Sequence, residues 1–333
     1  AADGDWMGEV LRDADARLLA QAWLGTRLVL LGTAVVVSLV TRKTLAEALG
    51  NWDVEHFVNI ARYGYYSDVE MAFFPGLPLL LRAAMALGLH PIAAGVLLSL
   101  VTSALAVWAL YRLGGRYAAL GWLLAPTAIF TLVPYSESPF CAAAFWAWER
   151  ATQRKWGAAA LCAAAASTLR VSGLFLIGAL AVLALAQRWQ SRGASGRPRA
   201  ADRLTRSLPW LLLPTAVIAA YAVYLHALTG SWTAWFQAQA AGWMRQFTWP
   251  WDAFLNHWRA IQPGMYADHP GWVWIFRAEL VSMIVGLVVV AVALGRRRVA
   301  EASWVGVQLL AFSLSYWFQS VCRAVLLWFP LWT

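Results

Sequence analysis

Charged residues are scarce in this sequence. Only 13% of its 333 residues are Asp, Glu, Lys or Arg, whereas a soluble domain carries about a quarter. Hydrophobic residues make up 61%, so too little polar surface remains to cover a water-soluble globule. Several apolar runs reach about 20 residues, the length that a helix needs to cross the hydrocarbon core. They lack the period-two alternation of barrel strands. The sequence therefore predicts an all-α, polytopic membrane protein.

Cysteine is also scarce, which argues against redox and zinc chemistry. Cys141, Cys162 and Cys322 lie within or beside apolar runs, and no pair has metal or redox spacing. Neither a cleavable signal-peptide pattern nor an internal repeat is evident. The net charge of +9 would suggest nucleic acid in a soluble protein, but here the cytoplasmic bias of Lys and Arg explains it. We therefore expect membrane lipids, and no nucleic acid, as partners.

The apolar segments predict about ten crossings in one domain, in the range that spans of about 20 residues allow. An amphipathic surface helix at residues 6–23, or a frayed tail, precedes a first span at residues 24–40. The short run at residues 75–89 is interpreted as a re-entrant or interfacial helix. Further spans are predicted at residues 92–111, 117–133, 157–187 with a break at Arg170, 207–228, 272–294 and 302–319. A shorter apolar run that leads to Glu149 and the final run that Arg323 opens bring the total to about ten. We also expect the natural chain to extend beyond residue 1 and beyond the apolar run at residues 326–330.

The distribution of basic residues predicts the orientation. With a cytoplasmic N-terminus, the inner segments carry 17 of the 26 Lys and Arg residues, six of them in a basic linker at residues 188–206. Arg42 and Lys43 oppose this assignment. The outer, non-cytoplasmic face then receives several polar segments from distant parts of the chain: residues 41–74, Glu137, Arg170, residues 229–271 and Arg323.

Residues 41–74 form the one long polar and aromatic segment in the first third of the chain. We interpret it as a loop that carries a catalytic base. Asp53 and Glu55 can supply a base and a supporting acid, or bind a divalent cation; the alternative is a pair of solvated carboxylates. Trp52 and Tyr65 can anchor the loop at the membrane interface or stack against a sugar. His56 is either a ligand-binding residue or a surface histidine.

Two charged residues fall at membrane depth and require partners. Glu137 follows Tyr135 at a span end, and a carboxylate there costs about 2.5–3.5 kcal/mol on insertion scales. Arg170 lies in a helical break, where its planar fork suits a phosphate. Alternatively, Glu137 and Arg170 form a purely structural pair.

The segment at residues 229–271 is rich in tryptophan, with eight tryptophans between Trp232 and Trp274. An aromatic belt at the interface accounts for much of this. A belt does not require Gln239 and Arg245, so we consider them and Trp243 as substrate-binding candidates. Arg323 is either a further phosphate contact or a snorkelling interfacial arginine.

Taken together, these motifs resemble a known family. Trp52, Asp53, Phe57, Gly64, Tyr65 and residues 72–75 resemble the first-loop signature of the GPI mannosyltransferase 2 (PIG-V) family and its bacterial relatives. Residues 135–138 and Phe140 resemble its Tyr-Ser-Glu-Ser-Leu-Phe motif, with Pro139 in place of leucine. Residues 168–173 resemble its Arg-Ser-Asn-Gly segment less closely. Gly230, Phe236, Gln239, Trp243 and Arg245 resemble its central-loop pattern.

The resemblance implies a GT-C-like bundle that transfers mannose from a polyprenyl-phosphate-mannose donor to a lipid or glycolipid acceptor on the non-cytoplasmic face. The Ala-, Arg- and Trp-rich composition favours a bacterial plasma membrane. The hypothesis is an inverting transfer with Asp53 as the base, Glu55 or Glu137 supporting it, and Arg170, Arg245 and Arg323 binding the phosphate. These arginines could replace a metal, although a divalent cation remains open.

Two other classes of function fit part of the pattern. A transporter or lipid flippase for a glycolipid would also have many spans and buried charges, but matching repeats with broken helices would be expected. A membrane scaffold without chemistry would not need Asp53, Glu137 and Arg170 together.

Overall fold

The computed structural model describes the backbone of residues 3–194 and 207–333 and the side chains of residues 13–189 and 207–333. Within these ranges the chain is all-α and contains no strand. The all-α class predicted from the sequence is confirmed. The C-terminal part of the predicted basic linker, residues 195–206, lies outside the described residues.

The first half of the chain, residues 3–194, contains three long apolar helices and five shorter ones. These helices are α1 (Asp3–Thr41), α2 (Leu45–Leu49), α3 (Asp53–Tyr63), α4 (Gly76–Ala86), α5 (Pro91–Leu123), α6 (Glu137–Thr152), α7 (Trp156–Ser167) and α8 (Ser172–Ala194). Short 3-10 turns at Asp68–Ala72 and Ala128–Thr131 complete this half.

The second half begins with a 3-10 turn at Leu208–Leu211. Its helices are α9 (Leu212–Thr229), α10 (Ala234–Trp243), α11 (Pro250–Ala260), α12 (Gly271–Gly295), α13 (Val299–Ser313), α14 (Val321–Ala324) and α15 (Phe329–Trp332), with a 3-10 turn at Val325–Leu327.

Five helical segments in the described part of the chain are long and apolar enough to cross a membrane. They are Asp13–Thr41, Pro91–Leu123, Ser172–Trp189, Leu208–Thr229 and Gly271–Gly295. The shorter helices Gly76–Ala86, Trp156–Ser167 and Val299–Ser313 are also apolar. The molecule is an all-α membrane protein, and the number of crossings stays a prediction.

Several boundaries differ from those expected. The predicted surface helix and first span form one continuous helix, α1, because no proline separates them. The span expected at residues 302–319 ends at Ser313. The break in the 157–187 run lies where it was predicted, since α7 ends at Ser167 and α8 begins at Ser172.

The segment that we interpreted as a loop, residues 41–74, is largely helical. Its α3 buries Val54, Phe57, Val58 and Ala61, which follow the spacing of one helix face. This periodicity was readable in the sequence but was masked by the surrounding polar residues. The correction matters because a helix turns about 100° per residue, so neighbouring side chains point in different directions.

Helix α6 separates two charged ends of the bundle. Glu137 opens the helix and Glu149 lies twelve residues later, about 18 Å away at 1.5 Å per residue. At the Glu149 end, Arg112 and Arg150 each lie 2.6 Å from a carboxylate oxygen of Glu149. The other charged end, around Glu137, contains the candidate site.

Candidate active site

Asp53 is the first residue of α3, and a strained residue precedes it. Trp52 has φ 64° and ψ −126°, a left-handed conformation that a bulky residue rarely adopts and that costs about 1–3 kcal/mol. This conformation sets the direction in which the chain enters α3, and the Trp52 carbonyl accepts from the Glu55 amide at 3.1 Å. The Asp53 carboxylate, at the helix N-terminus, also gains from the helix dipole.

Arg323 connects Asp53 to Glu137. Its Nη1 donates to Oδ2 of Asp53 at 2.5 Å, and its Nε lies 3.4 Å from Oε1 of Glu137. The guanidinium also lies over the rings of Tyr135 and Phe130, 5.3 and 5.6 Å from their centroids. A charged group from the end of the chain is thereby held between carboxylates from the first half.

Arg170 completes this chain of ion pairs. Its Nη1 lies 2.7 Å from Oε1 of Glu137 and donates to the Ser136 hydroxyl at 2.9 Å. Glu137 is fully buried, and these two arginines lie beside its carboxylate. The structural pairing of Glu137 with Arg170 is therefore present, but Arg170 also faces a cavity.

That cavity, the polar cavity, has a volume of about 80 Å³. Its ionisable lining residues are Asp53, Arg170, Arg245 and Arg323, and Gln239 and Trp243 also line it. The lining therefore carries three positive charges and one negative charge, with the buried Glu137 in contact with two of the arginines. The surface that a ligand would meet has an excess of positive charge.

Electrostatic interactions favour the ionised forms of Asp53 and Arg323. Burial acts to raise the pKa of Asp53, but Arg323 and, more weakly, Arg170 outweigh it and hold the pKa below its ordinary value. Burial likewise opposes the charge of Arg323, yet Asp53 and Glu137 raise its pKa. Burial, together with the nearby Arg323 and Arg170, lowers the pKa of Arg245 to about 10. Asp53 is thus a carboxylate at neutral pH.

A second cavity of about 390 Å³, the apolar groove, adjoins the polar one. The two share Arg170, Val171, Gln239, Arg245, Ser320 and Arg323 in their linings. The groove continues between α8, α10 and α13, where its walls include Phe175, Phe236 and Phe312. A long apolar chain in the groove would place a charged head among the arginines.

The remaining predicted residues are distributed around the site. His56 stacks on Phe73 with ring centroids 4.9 Å apart and meets Trp243 edge-on, so it packs behind the cavity wall. Gln239 also donates to the Ala72 carbonyl at 3.4 Å. The Tyr65 hydroxyl donates to the Phe73 carbonyl at 2.7 Å, which positions the wall without lining the polar cavity.

Two further predicted residues, Glu55 and Trp52, also do not line the polar cavity. Glu55 is exposed and lines a different cavity with Lys43, Glu47 and Arg62, because two residues along a helix correspond to about 200° of rotation from Asp53. Trp52 is 72% exposed and does not line the polar cavity. Glu55 and Asp53 therefore face different cavities. Of the two expected supporting acids, Glu137 is the one connected to Asp53, through Arg323.

The positions of Asp53 and Glu55 also decide whether this pair could bind a divalent cation. Asp53 and Glu55 face different cavities, and Oδ2 of Asp53 is engaged by Arg323. Among the side chains that the structure describes, residues 13–189 and 207–333, there is no group of three or more His, Cys, Asp or Glu residues placed to hold a metal. The Asp53–Glu55 pair does not fit a cation site.

Sequence analysis missed two contributors to this site. Ser136 bonds Arg170, and Glu279 on α12 accepts from the backbone of Ser320 and Cys322. Glu279 carried a signal, since a glutamate within an apolar span requires a partner. Its partners lie some forty residues later in a turn with no distinctive sequence.

The fold and the site define an integral membrane protein with an ionised, arginine-rich cavity at one end of a helical bundle. The chain belongs to the mannosyltransferase (PIG-V) family, whose model matches residues 20–227. The match includes Asp53, Glu137 and Arg170 and ends before Arg245, Glu279 and Arg323. The family resemblance expected from the sequence is confirmed.

Curated relatives agree with this family. GPI alpha-1,6-mannosyltransferase 2 from Mus musculus is 33% identical over 156 residues, and the protein of that name from Homo sapiens is 33% identical over 155 residues. Each alignment covers 41% of this chain and 31% of the relative. GPI mannosyltransferase 2 from Chaetomium globosum is 30% identical over 129 residues, covering 31% of this chain and 27% of the relative. The chain thus spans about a third of the length of these relatives. No solved structure matches it.

Proposed function

We propose that this protein is an inverting mannosyltransferase that uses a polyprenyl-phosphate-mannose donor and a lipid or glycolipid acceptor. One observation carries the proposal: three arginines and the Asp53 carboxylate converge in a cavity that continues into an apolar groove. The groove suits a prenyl chain, the arginines suit its phosphate, and Asp53 suits a proton-accepting role. Family membership supports mannose as the sugar.

The donor phosphate is a diester with one negative charge, which matches the excess positive charge of the lining. Arg170, Arg245 and Arg323 would bind its oxygens through charge-assisted hydrogen bonds. The polar cavity, at about 80 Å³, is far smaller than the roughly 300–1,000 Å³ of typical ligand pockets. We propose that the cavity enlarges when the sugar enters and that the ion pair between Arg323 and Asp53, both of which line it, opens in the process.

This opening exchanges the partner of Arg323. In the free protein Arg323 pairs with Asp53, and in the donor complex it pairs with the phosphate. Asp53 then loses its stabilising cation, its pKa rises, and it becomes a stronger base at the moment when a donor is present. The acceptor hydroxyl meets an active base only after the donor has bound.

The transfer itself is a single displacement. The acceptor oxygen forms a bond to C1 of mannose as the bond between C1 and the phosphate oxygen breaks, and the acceptor proton passes to Asp53. A β-linked donor gives an α-linked product. The leaving polyprenyl phosphate is already an anion, so it requires no general acid, and the arginines stabilise the charge that it gains.

We place the reaction on the non-cytoplasmic face of a bacterial plasma membrane, with the N-terminus in the cytoplasm. The clustering of Arg112 and Arg150 with Glu149 at the end of α6 remote from Glu137 supports this orientation. In this view residues 41–74 and 229–271 form the outer segments, and residues 188–206 form a cytoplasmic linker.

The direct test is a transfer assay with the purified full chain in lipid nanodiscs. Polyprenyl-phosphate-mannose with radiolabelled mannose is incubated with a panel of lipid acceptors, and extracted lipids are separated by chromatography. We expect label to move to an acceptor lipid in a reaction that requires Asp53. Movement of a glycolipid across vesicle bilayers without any transfer would instead favour the transporter or flippase alternative.

A further inference from the structure

Glu279 lies within α12 and bonds to a turn that follows α13. It is 6% exposed, and each of its carboxylate oxygens accepts a backbone hydrogen bond. Oε1 accepts from the amide of Ser320 at 2.8 Å, and Oε2 accepts from the amide of Cys322 at 2.9 Å. One carboxylate therefore clamps two amides of the same turn.

The clamped turn, residues 319–323, is strained. Ser320 has φ 65° and ψ 18°, a left-handed conformation that a serine adopts only at a cost. Two hydrogen bonds to a carboxylate offset that cost, since bonds to an ionised acceptor are about twice as strong as neutral ones. Without Glu279 the turn would lose both of these charge-assisted hydrogen bonds.

The turn supports two of the three arginines of the polar cavity. Arg323 belongs to it, and its Nη2 contacts the Ser320 hydroxyl at 3.3 Å. Arg245 reaches it from a distant segment, with Nη2 donating to the Gln319 carbonyl at 3.1 Å. A shift of this turn would displace both guanidinium groups together.

We propose that Glu279 is a positioning residue that holds Arg323 and Arg245 in the geometry that binds the phosphate of a lipid-linked ligand. The inference rests on the proposed function for the identity of that ligand. Glu279 does not line the polar cavity, so it acts through the turn. A carboxylate in an apolar span costs insertion energy, and organising the arginines accounts for its presence.

The test compares Glu279→Gln with Glu149→Gln. Glutamine preserves the size of the side chain, but its amide presents a donor to one of the two backbone donors. Glu149 is the matched control because it is also buried and paired at close range, yet it lies at the other end of α6. Both variants lose a buried carboxylate, and a general loss of packing would affect both.

The readout is binding of sugar-free polyprenyl phosphate to each protein in nanodiscs, together with thermal unfolding. We expect Glu279→Gln to weaken binding about ten- to a hundred-fold, the range expected when a hydrogen bond to a charged group is lost. Glu149→Gln should bind within about two-fold of the native protein. In the transfer assay, Glu279→Gln should raise the KM for the donor while leaving the KM for the acceptor unchanged.

Conservative replacement keeps the test decisive if Glu279→Gln does not fold. Glu279→Asp retains both acceptor oxygens on a shorter stem, and an intermediate loss of binding is expected. Native affinity in Glu279→Gln or Glu279→Asp, or an equal loss in Glu149→Gln, would overturn the inference. A native protein that binds polyprenyl phosphate but transfers no mannose would refute the proposed transferase and leave the role of Glu279 intact. No binding by the native protein would refute both the role and the donor.

Discussion

Arg323 and Asp53 lie 270 residues apart in the sequence, yet Nη1 of Arg323 donates to Oδ2 of Asp53 at 2.5 Å. The contact joins the beginning of α3 to the C-terminal part of the chain. In the free protein this ion pair compensates the negative charge of Asp53, the proposed base. It also engages Arg323, one of the three arginines that we propose to bind the phosphate. The activity that we propose therefore depends on breaking this contact when the donor binds, and the following predictions test that dependence.

Asp53→Asn should fold normally but lose transfer by about 10²–10⁴-fold, because an amide cannot accept the acceptor proton. Transfer rates under saturating donor and acceptor measure the loss, with thermal unfolding as the folding check. Glu55→Gln is the matched control on the same helix. It should retain activity within about two-fold, because Glu55 faces another cavity. Near-normal turnover by Asp53→Asn would remove Asp53 from the role of base.

The pH dependence should report the exchange of partners. In the free protein Arg323 lowers the pKa of Asp53, so the acid limb of kcat/KM should fall below the ordinary pH range of a carboxyl group. In the donor complex the phosphate takes Arg323, the pKa of Asp53 rises, and the acid limb of kcat should lie at higher pH. If the acid limbs of kcat/KM and kcat coincide, Arg323 stays paired with Asp53 throughout the reaction and the proposed exchange of partners is wrong.

Arg170→Ala should both destabilise the protein and weaken use of the donor. It leaves the fully buried Glu137 with Arg323 as its remaining cation, at a cost of about 3 kcal/mol. Adding Glu137→Gln removes the carboxylate that has lost its nearer cation, and it should recover much of the thermal stability without recovering the KM for the donor. If only the KM for the acceptor rises in Arg170→Ala, the phosphate assignment is wrong.

Filling the apolar groove should affect the donor selectively. Ala311 lines the groove, and Ala311→Trp would obstruct a prenyl chain, so the KM for the donor should rise about ten-fold or more. The control is Ala220→Trp in a separate cavity between α4 and α9, where the KM for the donor should change by less than about two-fold. Equal effects of the two substitutions would indicate that the donor chain lies elsewhere.

Much of this arrangement was predictable from the sequence, because helices that cross a membrane require long apolar runs, which are easily recognised. Apolar runs gave α12 and the break between α7 and α8 almost to the residue. A buried charge needs a partner, and that requirement alone indicated that Glu137 and Arg170 would meet. The convergence of Asp53, Glu137, Arg170 and Arg323 was expected from the predicted topology, which assigns all four residues to the same side of the membrane.

Two kinds of contact were not predictable: those that depend on the rotation between neighbouring residues of a helix, and those that a side chain makes with main-chain groups far away in the sequence. Asp53 and Glu55 are similar acidic residues two positions apart, but about 200° of helix rotation separates their side chains, so Glu55 lines a different cavity. Glu279 could be recognised as a residue in need of a partner, but its partners are main-chain amides of an irregular turn. Tyr65 was expected near the sugar, and its hydroxyl instead bonds the Phe73 carbonyl, a role that leaves no signature in sequence.

The most direct measurement is a cryo-electron microscopy structure of the protein in nanodiscs with bound polyprenyl-phosphate-mannose. We expect the phosphate among Arg170, Arg245 and Arg323, the prenyl chain in the groove beside Ala311, and Asp53 released from Arg323 and facing the mannose. A donor whose phosphate lies outside these three arginines, or an intact Arg323–Asp53 pair beside a bound sugar, would contradict the account.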